Sequence, residues 1–360
     1  VAQIISKAPG RICLFGDHQD YLGLPVIACA IDRFVTVEGL PNHTDYFKIT
    51  LPDLNEELKI RFRIPEVQIH EGEHLKAALN VVKRYGCNPD SGYDIVIQGD
   101  IPINAGLSSS SAMVVAWVQW LFVTFGCEHE ITLALIGQVA YEAEVLEQNS
   151  PGGKMDQYTS ALGNIIYLET GSDTKVMKLG TRLNGLIIAE SGIPKDTIGL
   201  LDTIRTKAVE ALSFIMKNSP DFDIHKATLT DYENHKGILS EALRPYFFAA
   251  IKNHLITQEA LLELQQNDPD LAKLGKLMND HHEILKNILQ ITVPRIDAMV
   301  SAALDAGAYG AKIVGSGGGG SIVAISDPKK MESVVKAIKK AGAQKAYAVD
   351  VTNGAHYIND

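Results

Sequence analysis

Residues 102–112 read Pro102-Ile103-Asn104-Ala105-Gly106-Leu107-Ser108-Ser109-Ser110-Ser111-Ala112. The run follows a strand-like segment, Tyr93–Gln98, and leads into an apolar helix-like run, Ala112–Phe125. Glycine lets a backbone approach an anion closely, and the first amides of a helix point outward without intrahelical partners. Serine hydroxyls add donors and can offer a magnesium ligand. The run lacks the Gly-Lys-Ser/Thr ending of a Walker loop, which excludes that nucleotide site. Two readings stand at this point: a phosphate-binding helix start, or an ordinary N-cap after a polar turn.

Outward from this run, the sequence alternates strands and helices. On its N-terminal side, Ile4–Ser6 is strand-like, Ala8-Pro9-Gly10 reads as a turn, and Arg11–Phe15 reads as a second short strand. Val26–Ile31 and Phe34–Glu38 read as strands, and so does part of 47–64, where residues 58–63 alternate with period two. His74–Gly86 carries a helical apolar stripe. The helix after the serine run holds Trp117 and Trp120, three apart on one face, which reads as core packing. Ile131–Gln148 is a further helix, broken by Asn149-Ser150-Pro151-Gly152-Gly153-Lys154, after which Met155–Ala161 turns helical again. Gly163–Glu169 closes the first half as a strand, and the apolar stretch Leu183–Glu190 opens the second. The span 197–292 is mostly helical, Ile296–Ala306 and Pro328–Ala341 are helices, and Ser321–Ile325 and Ala346–Val351 are strands. This order predicts an α+β protein of two halves, 1–180 and 181–360, with a cleft between them.

Three more clusters carry chemistry. Gly310-Ala311-Lys312-Ile313-Val314-Gly315-Ser316 runs into Gly317–Gly320. So many glycines cost chain entropy unless the backbone must approach something closely, although a plain connector is the alternative. Glu142, Glu144, Glu147 and Asp156 flank the Pro-Gly-Gly turn. Glu144 and Ser110 have the oxygen chemistry that magnesium takes, and Asp156 suits a proton acceptor. Singly, each of these carboxylates reads as a solvated surface residue. Arg11 with Asp17, His18 and Asp20 puts polar groups between two apolar strands. That set suits a polyol with paired hydroxyls, or else a satisfied surface loop.

Composition sets the outer bounds. The 360 residues are 46% hydrophobic and 21% charged, ordinary for a globular chain. With 33 Lys plus Arg against 43 Asp plus Glu, the formal charge is −10, which counts against nucleic acid or an anionic membrane as a partner. The four cysteines form no metal-ligand spacing, and no apolar run reaches the length of a bilayer crossing. A cytoplasmic protein is expected, as a monomer or homodimer.

Taken together, these motifs resemble the GHMP superfamily of small-molecule kinases, and within it the galactokinase branch. Pro102–Ala112 is similar to the family's phosphate loop and Gly310–Gly320 to its C-terminal glycine motif. Ala8-Pro9-Gly10-Arg11 with Gly16-Asp17-His18-Gln19-Asp20-Tyr21 resembles the galactokinase signature, and Gly153-Lys154-Met155-Asp156-Gln157 the stretch with the catalytic aspartate. The resemblance implies an N-terminal domain with a left-handed β-α-β crossover and a ferredoxin-like C-terminal domain. It implies ATP and Mg2+, with Asp156 as base and Arg11 its partner. Ser110 and Glu144 would be the metal ligands, and Gly106, Leu107, Ser108, Ser109, Ser110 and Ser111 the phosphate cradle. Asp17, His18, Asp20, Gly153, Gly317 and Gly318 would line the sugar. The expected reaction is phosphorylation of a free monosaccharide at its anomeric C1 hydroxyl. Its rivals are a family member acting on another alcohol such as mevalonate, a silent sensor of sugar and ATP, and a nucleotide-binding structural protein. Two departures stand out. Asp17 occupies a position where glutamate is usual, which widens the choice of sugar, and Lys154 occupies one where an apolar residue is usual.

Overall fold

The computed structural model describes residues 3–63, 68–171, 173–181, 183–194 and 198–359. Ile64 and Thr197, each at the end of a stretch read above, lie outside them. The chain opens with β1 (Ile4–Phe15), β2 (Val26–Pro41), β3 (Tyr46–Leu51), β4 (Glu56–Arg61), α1 (His74–Arg84) and β5 (Tyr93–Gly99). α2 (Ser109–Phe125), α3 (Leu133–Tyr141), α4 (Met155–Leu162), β6 (Ile165–Glu169) and β7 (Lys175–Leu179) follow. These strands form one sheet in the order β1-β2-β5-β3-β4, and β6 pairs with β2 on one side and β7 on the other. β2 is long enough to serve two neighbours: Val26–Cys29 pairs with β6, and Val35–Pro41 with β5. All pairings in this sheet are antiparallel except β3 with β5.

The expected turn at Ala8-Pro9-Gly10 is not there. β1 runs straight through it, and the two short strands read from Val26 to Glu38 are likewise one strand. Pro9 faces Phe34 while Gly10 faces Ile31, so Asp32 and Arg33 bulge out of register. Proline has no N–H for a ladder, and a bulge is where a sheet tolerates it.

α2 packs across β1 and β2 with its two tryptophans fully buried and stacked, centroids 5.4 Å apart. Each indole N–H needs an acceptor once buried. Trp117 donates to the Leu75 carbonyl at 3.1 Å and Trp120 to that of Ile4 at 3.2 Å.

The second half begins with β8 (Leu186–Glu190) and then a helical series. This comprises α5 (Ile198–Asn218), α6 (Leu229–His235), α7 (Arg244–Leu264), α8 (Leu271–Glu283) and α9 (Pro294–Asp305). β9 (Gly310–Val314), β10 (Ser321–Ile325), α10 (Met331–Lys340) and β11 (Lys345–Val349) complete a second sheet, ordered β11-β8-β10-β9 and antiparallel throughout. Numbered by its own strands that order is 4-1-3-2, the split β-α-β arrangement of ferredoxin-like units. β7 and β9 carry no strand pattern in the sequence, and β9 lies inside the glycine motif. The last strand, β12 (His356–Asn359), returns to the first sheet and pairs with the start of β1. Among the described residues no helix is long and apolar enough to cross a membrane. All four cysteines are free thiols.

Candidate active site

Arg11 stands in the buried middle of β1, and Asp156 in the first turn of α4. The guanidinium grips the carboxylate with two parallel bonds, Nε to Oδ1 at 2.8 Å and Nη2 to Oδ2 at 2.7 Å. Its third arm, Nη1, donates to the Gly106 carbonyl at 2.7 Å, and the Arg11 amide donates to the Leu107 carbonyl at 3.1 Å. Burial alone would lower the pKa of Arg11. The Asp156 charge and hydrogen bonds outweigh it, so the net shift is upward and Arg11 stays cationic. Asp156 keeps 29% of its side chain exposed, enough to meet a ligand in the cavity.

The serine run turns sharply into α2. Ser108 adopts left-handed backbone angles, φ 59° and ψ 47°, and does not cap the helix. Its hydroxyl donates instead to Asp156 Oδ2 at 2.5 Å. No local pattern signals this pairing, since the two residues are 48 positions apart. The first amides of α2 are therefore left to an external acceptor. An apolar slot opens beside them, lined by Val35, Leu54, Ile97, Ile101, Ile103 and Met113. It shares Ser110 with the cavity in front of Asp156.

The far wall of that cavity carries Asp17, His18 and Asp20. Asp20 lies directly under Gly153, where a Cβ would come within 2.0 Å of Oδ2. Its pKa is pushed up to about 6, first by burial and then by the charge of Asp156. His18 is held with φ 62°, its Nε2 buried without a protein partner. Burial, the largest influence on it, lowers its pKa and keeps it neutral. Asp17 is almost wholly buried and binds Lys312. Burial raises its pKa, but Lys312 and His281 more than compensate, and the net shift is downward.

Glu144 is turned inward by a single π-helical turn, Glu142–Leu146, and lines the same cavity as Ser110. Gln157 Nε2 holds its Oε2 at 2.6 Å. Among the described residues no group of three or more His, Cys, Asp or Glu is placed to hold a metal. One carboxylate and one hydroxyl still fit magnesium, which keeps most of its waters and takes phosphate oxygens as ligands.

Most of the expected residues thus converge. Arg11, Asp17, His18, Asp20, Ser110, Ser111, Glu144, Gly153 and Asp156 share one cavity, and Gly106, Ser108, Ser109 and Ser110 line the slot beside it. Leu107 is buried and contributes its carbonyl. Gly317 and Gly318 are not at the cavity wall. A Cβ on Gly317 would meet Ile291, and the Gly318 amide donates to the Ile291 carbonyl at 2.8 Å. Gly315 and Ser316 face the cavity in their place. Gly317 and Gly318 pack their backbone against Ile291. Lys154 faces away from Asp156, donating to Thr174 Oγ1 at 2.7 Å and the Gly171 carbonyl at 3.3 Å.

Comparison with known proteins gives a consistent picture. Residues 1–41 match the galactokinase galactose-binding signature, 73–164 the GHMP kinases N terminal domain and 257–344 the GHMP kinases C terminal model. A galactokinase of Haemophilus influenzae is 29% identical over 350 residues, covering 93% of this chain and 88% of that protein. A mevalonate kinase of Thermococcus onnurineus is 27% identical over 351 residues, covering 94% of each. The crystal structure of Lactococcus lactis galactokinase complexed with galactose superposes with a TM-score of 0.88 at 21% identity, over 98% of this chain and 95% of that one.

Proposed function

The chain belongs to the GHMP kinases, and from that premise we propose that it transfers the γ-phosphoryl group of ATP to the anomeric C1 hydroxyl of a free monosaccharide. Its galactokinase and GHMP-kinase relatives indicate an ATP-dependent sugar kinase. The observation that carries the finer reading is the bidentate Arg11–Asp156 pair, bonded to the Gly106–Ser108 turn where the apolar slot meets the polar cavity.

In this reading the slot takes the adenine, and the open amides of α2 with Ser109–Ser111 face the triphosphate. Asp156 accepts the hydrogen of the attacking hydroxyl. As the new O–P bond forms, the bond from Pγ to the ADP oxygen breaks, and the proton passes to Asp156 and then to solvent. Arg11 fixes the carboxylate and offsets charge on the moving phosphoryl group. Positioning and electrostatics of this kind supply most of the rate in phosphoryl transfer. Ser110 and Glu144 would hold magnesium, which when bound supplies positive charge at the phosphate oxygens. His18 and Asp20 offer the sugar a mixed set of donors and acceptors. The enzyme is read as cytoplasmic, a monomer or homodimer.

The test is a phosphorylation screen over hexoses, pentoses, deoxysugars, uronic acids and mevalonate, with NMR of the product. A sugar 1-phosphate is expected. Mevalonate is the second reading, favoured by relatives of nearly equal identity. Against it stand the match of residues 1–41 and the polar wall of His18 and Asp20. Turnover of mevalonate alone would replace the sugar reading.

A further inference from the structure

Asp17 follows β1 of the first sheet, and Lys312 is the central residue of β9 in the second. Lys312 Nζ donates to Asp17 Oδ2 at 2.6 Å, with the two side chains 0% and 2% exposed. Among the described residues no other lysine or arginine pairs with a carboxylate so deeply. Nζ also donates to the Ile313 carbonyl at 2.9 Å, and the Gly315 amide approaches Asp17 Oδ1 at 3.3 Å. His281, fully buried on α8, stands 3.9 Å from the same carboxylate. Both oxygens of Asp17 are thus committed to the protein. The rest of β9 is glycine and buried apolar residues, so a lysine there carries a desolvation cost that an apolar residue avoids. A buried pair of this kind adds little net stability, but it fixes geometry across the junction of two sheets.

We propose that Lys312 is a positioning residue for the sugar half of the site: by binding Asp17 it latches the Gly16–Asp20 turn of the first sheet to the Gly315–Gly320 turn of the second. The latch rests on the sugar-kinase reading for its functional consequence. His18, the next residue, is held in a strained left-handed conformation with an unpartnered Nε2 at the cavity. Asp20, at the end of the same turn, lies under Gly153. Asp17 lines the same cavity, and the latch reaches the sugar by fixing where His18 and Asp20 stand. Gly16 at φ 95° and Gly315 at φ 84° form the tight corners on either side.

The test compares Lys312→Met, Asp17→Asn and the double variant. A latch makes the pair act as a unit, so each single change raises the sugar KM about tenfold or more and the double is no worse than either. The ATP KM stays within about twofold, since the uniform binding of nucleotide is untouched. If Asp17 instead grips the sugar directly, Lys312→Met leaves the sugar KM near its starting value while Asp17→Asn raises it, and the proposal fails. If Lys312→Met does not fold, the near-isosteric Asp17→Asn carries the test through amide hydrogen exchange. Faster exchange in both Gly16–Asp20 and Gly315–Gly320, with α2 unchanged, is expected; unchanged exchange in either turn overturns the latch. A wild-type protein that phosphorylates no sugar defeats the sugar reading alone, since exchange still decides the latch.

Discussion

Asp20 holds its proton to a higher pH in the folded protein than in the unfolded chain, with a pKa near 6 against an ordinary 3.8. Burial is the first cause and the neighbouring charge of Asp156 the second. Between those two values the folded state binds more protons, so stability falls as pH rises through the window. Above it, ionised Asp20 costs the fold at most about 3 kcal/mol. Asp20→Asn is therefore expected to raise Tm at neutral pH and flatten the stability profile in the acid range, as thermal melts across pH will show. It is also expected to weaken the sugar step, because an amide donates where a carboxylate only accepts. A variant with unchanged Tm at neutral pH would mean that Asp20 is not strained by its surroundings. Asp156→Asn gives the sharper kinetic contrast. It keeps the shape of the side chain but removes the proton acceptor, and kcat should fall by about 100-fold or more. Near-wild-type turnover in a variant that still melts cooperatively would remove Asp156 from the chemistry.

Each group acts through the element that carries it. The start of α2 is placed by Gly106, which has φ 83° and so little room that a Cβ would lie 2.8 Å from the Val314 carbonyl. Gly106→Ala should cost on the order of 1–2 kcal/mol in left-handed strain alone. It should also weaken ATP binding more than sugar binding, measurable by titration with a non-hydrolysable nucleotide; equal weakening would separate the turn from the phosphates. The π turn after α3 points Glu144 inward, and Glu144→Gln should raise the magnesium concentration needed for half-maximal rate by about tenfold. An unchanged magnesium requirement would free Glu144 from that role. The parts of these elements set by local chemistry were legible in the sequence. The glycine-serine entry to α2, the tryptophan face and the break before α4 lie where the sequence pattern puts them. What escaped depended on distant partners. Pro9 and Gly10 look like a turn until β2 supplies a bulge opposite them. Gly310–Val314 looks like a loop because its glycine, alanine and lysine give no strand period, yet β10 pairs with all five residues. The bond from Ser108 to Asp156 and the place of Lys312 beside Asp17 follow from long-range packing that no local pattern encodes.

At the scale of the whole molecule, the two halves are built to depend on each other. We take 1–180 and 181–360 as the two units, yet the first sheet ends in β12, supplied by the last residues of the chain. The end of α4 is pinned by the same tail: the Ala355 amide donates to the Ala161 carbonyl at 3.0 Å, and the Asn164 amide to that of Thr352 at 2.7 Å. Leu24 of the first half is buried among Ala211, Ile215, Phe247 and Ile251 of the second. Asp17 has its counter-charge there too. A fragment of residues 1–180 would expose these apolar contacts and deprive Asp17 of Lys312. Domains of ordinary size are stable by only about 5–15 kcal/mol in total. The isolated fragment is therefore expected to show no cooperative melt and no nucleotide binding, although it carries the whole serine turn. Adding the 181–360 fragment should restore both, followed by calorimetry and nucleotide titration. If the first fragment alone melted cooperatively and bound ATP, the contacts across the junction would be accessory, and the Arg11–Asp156 site would belong to one half.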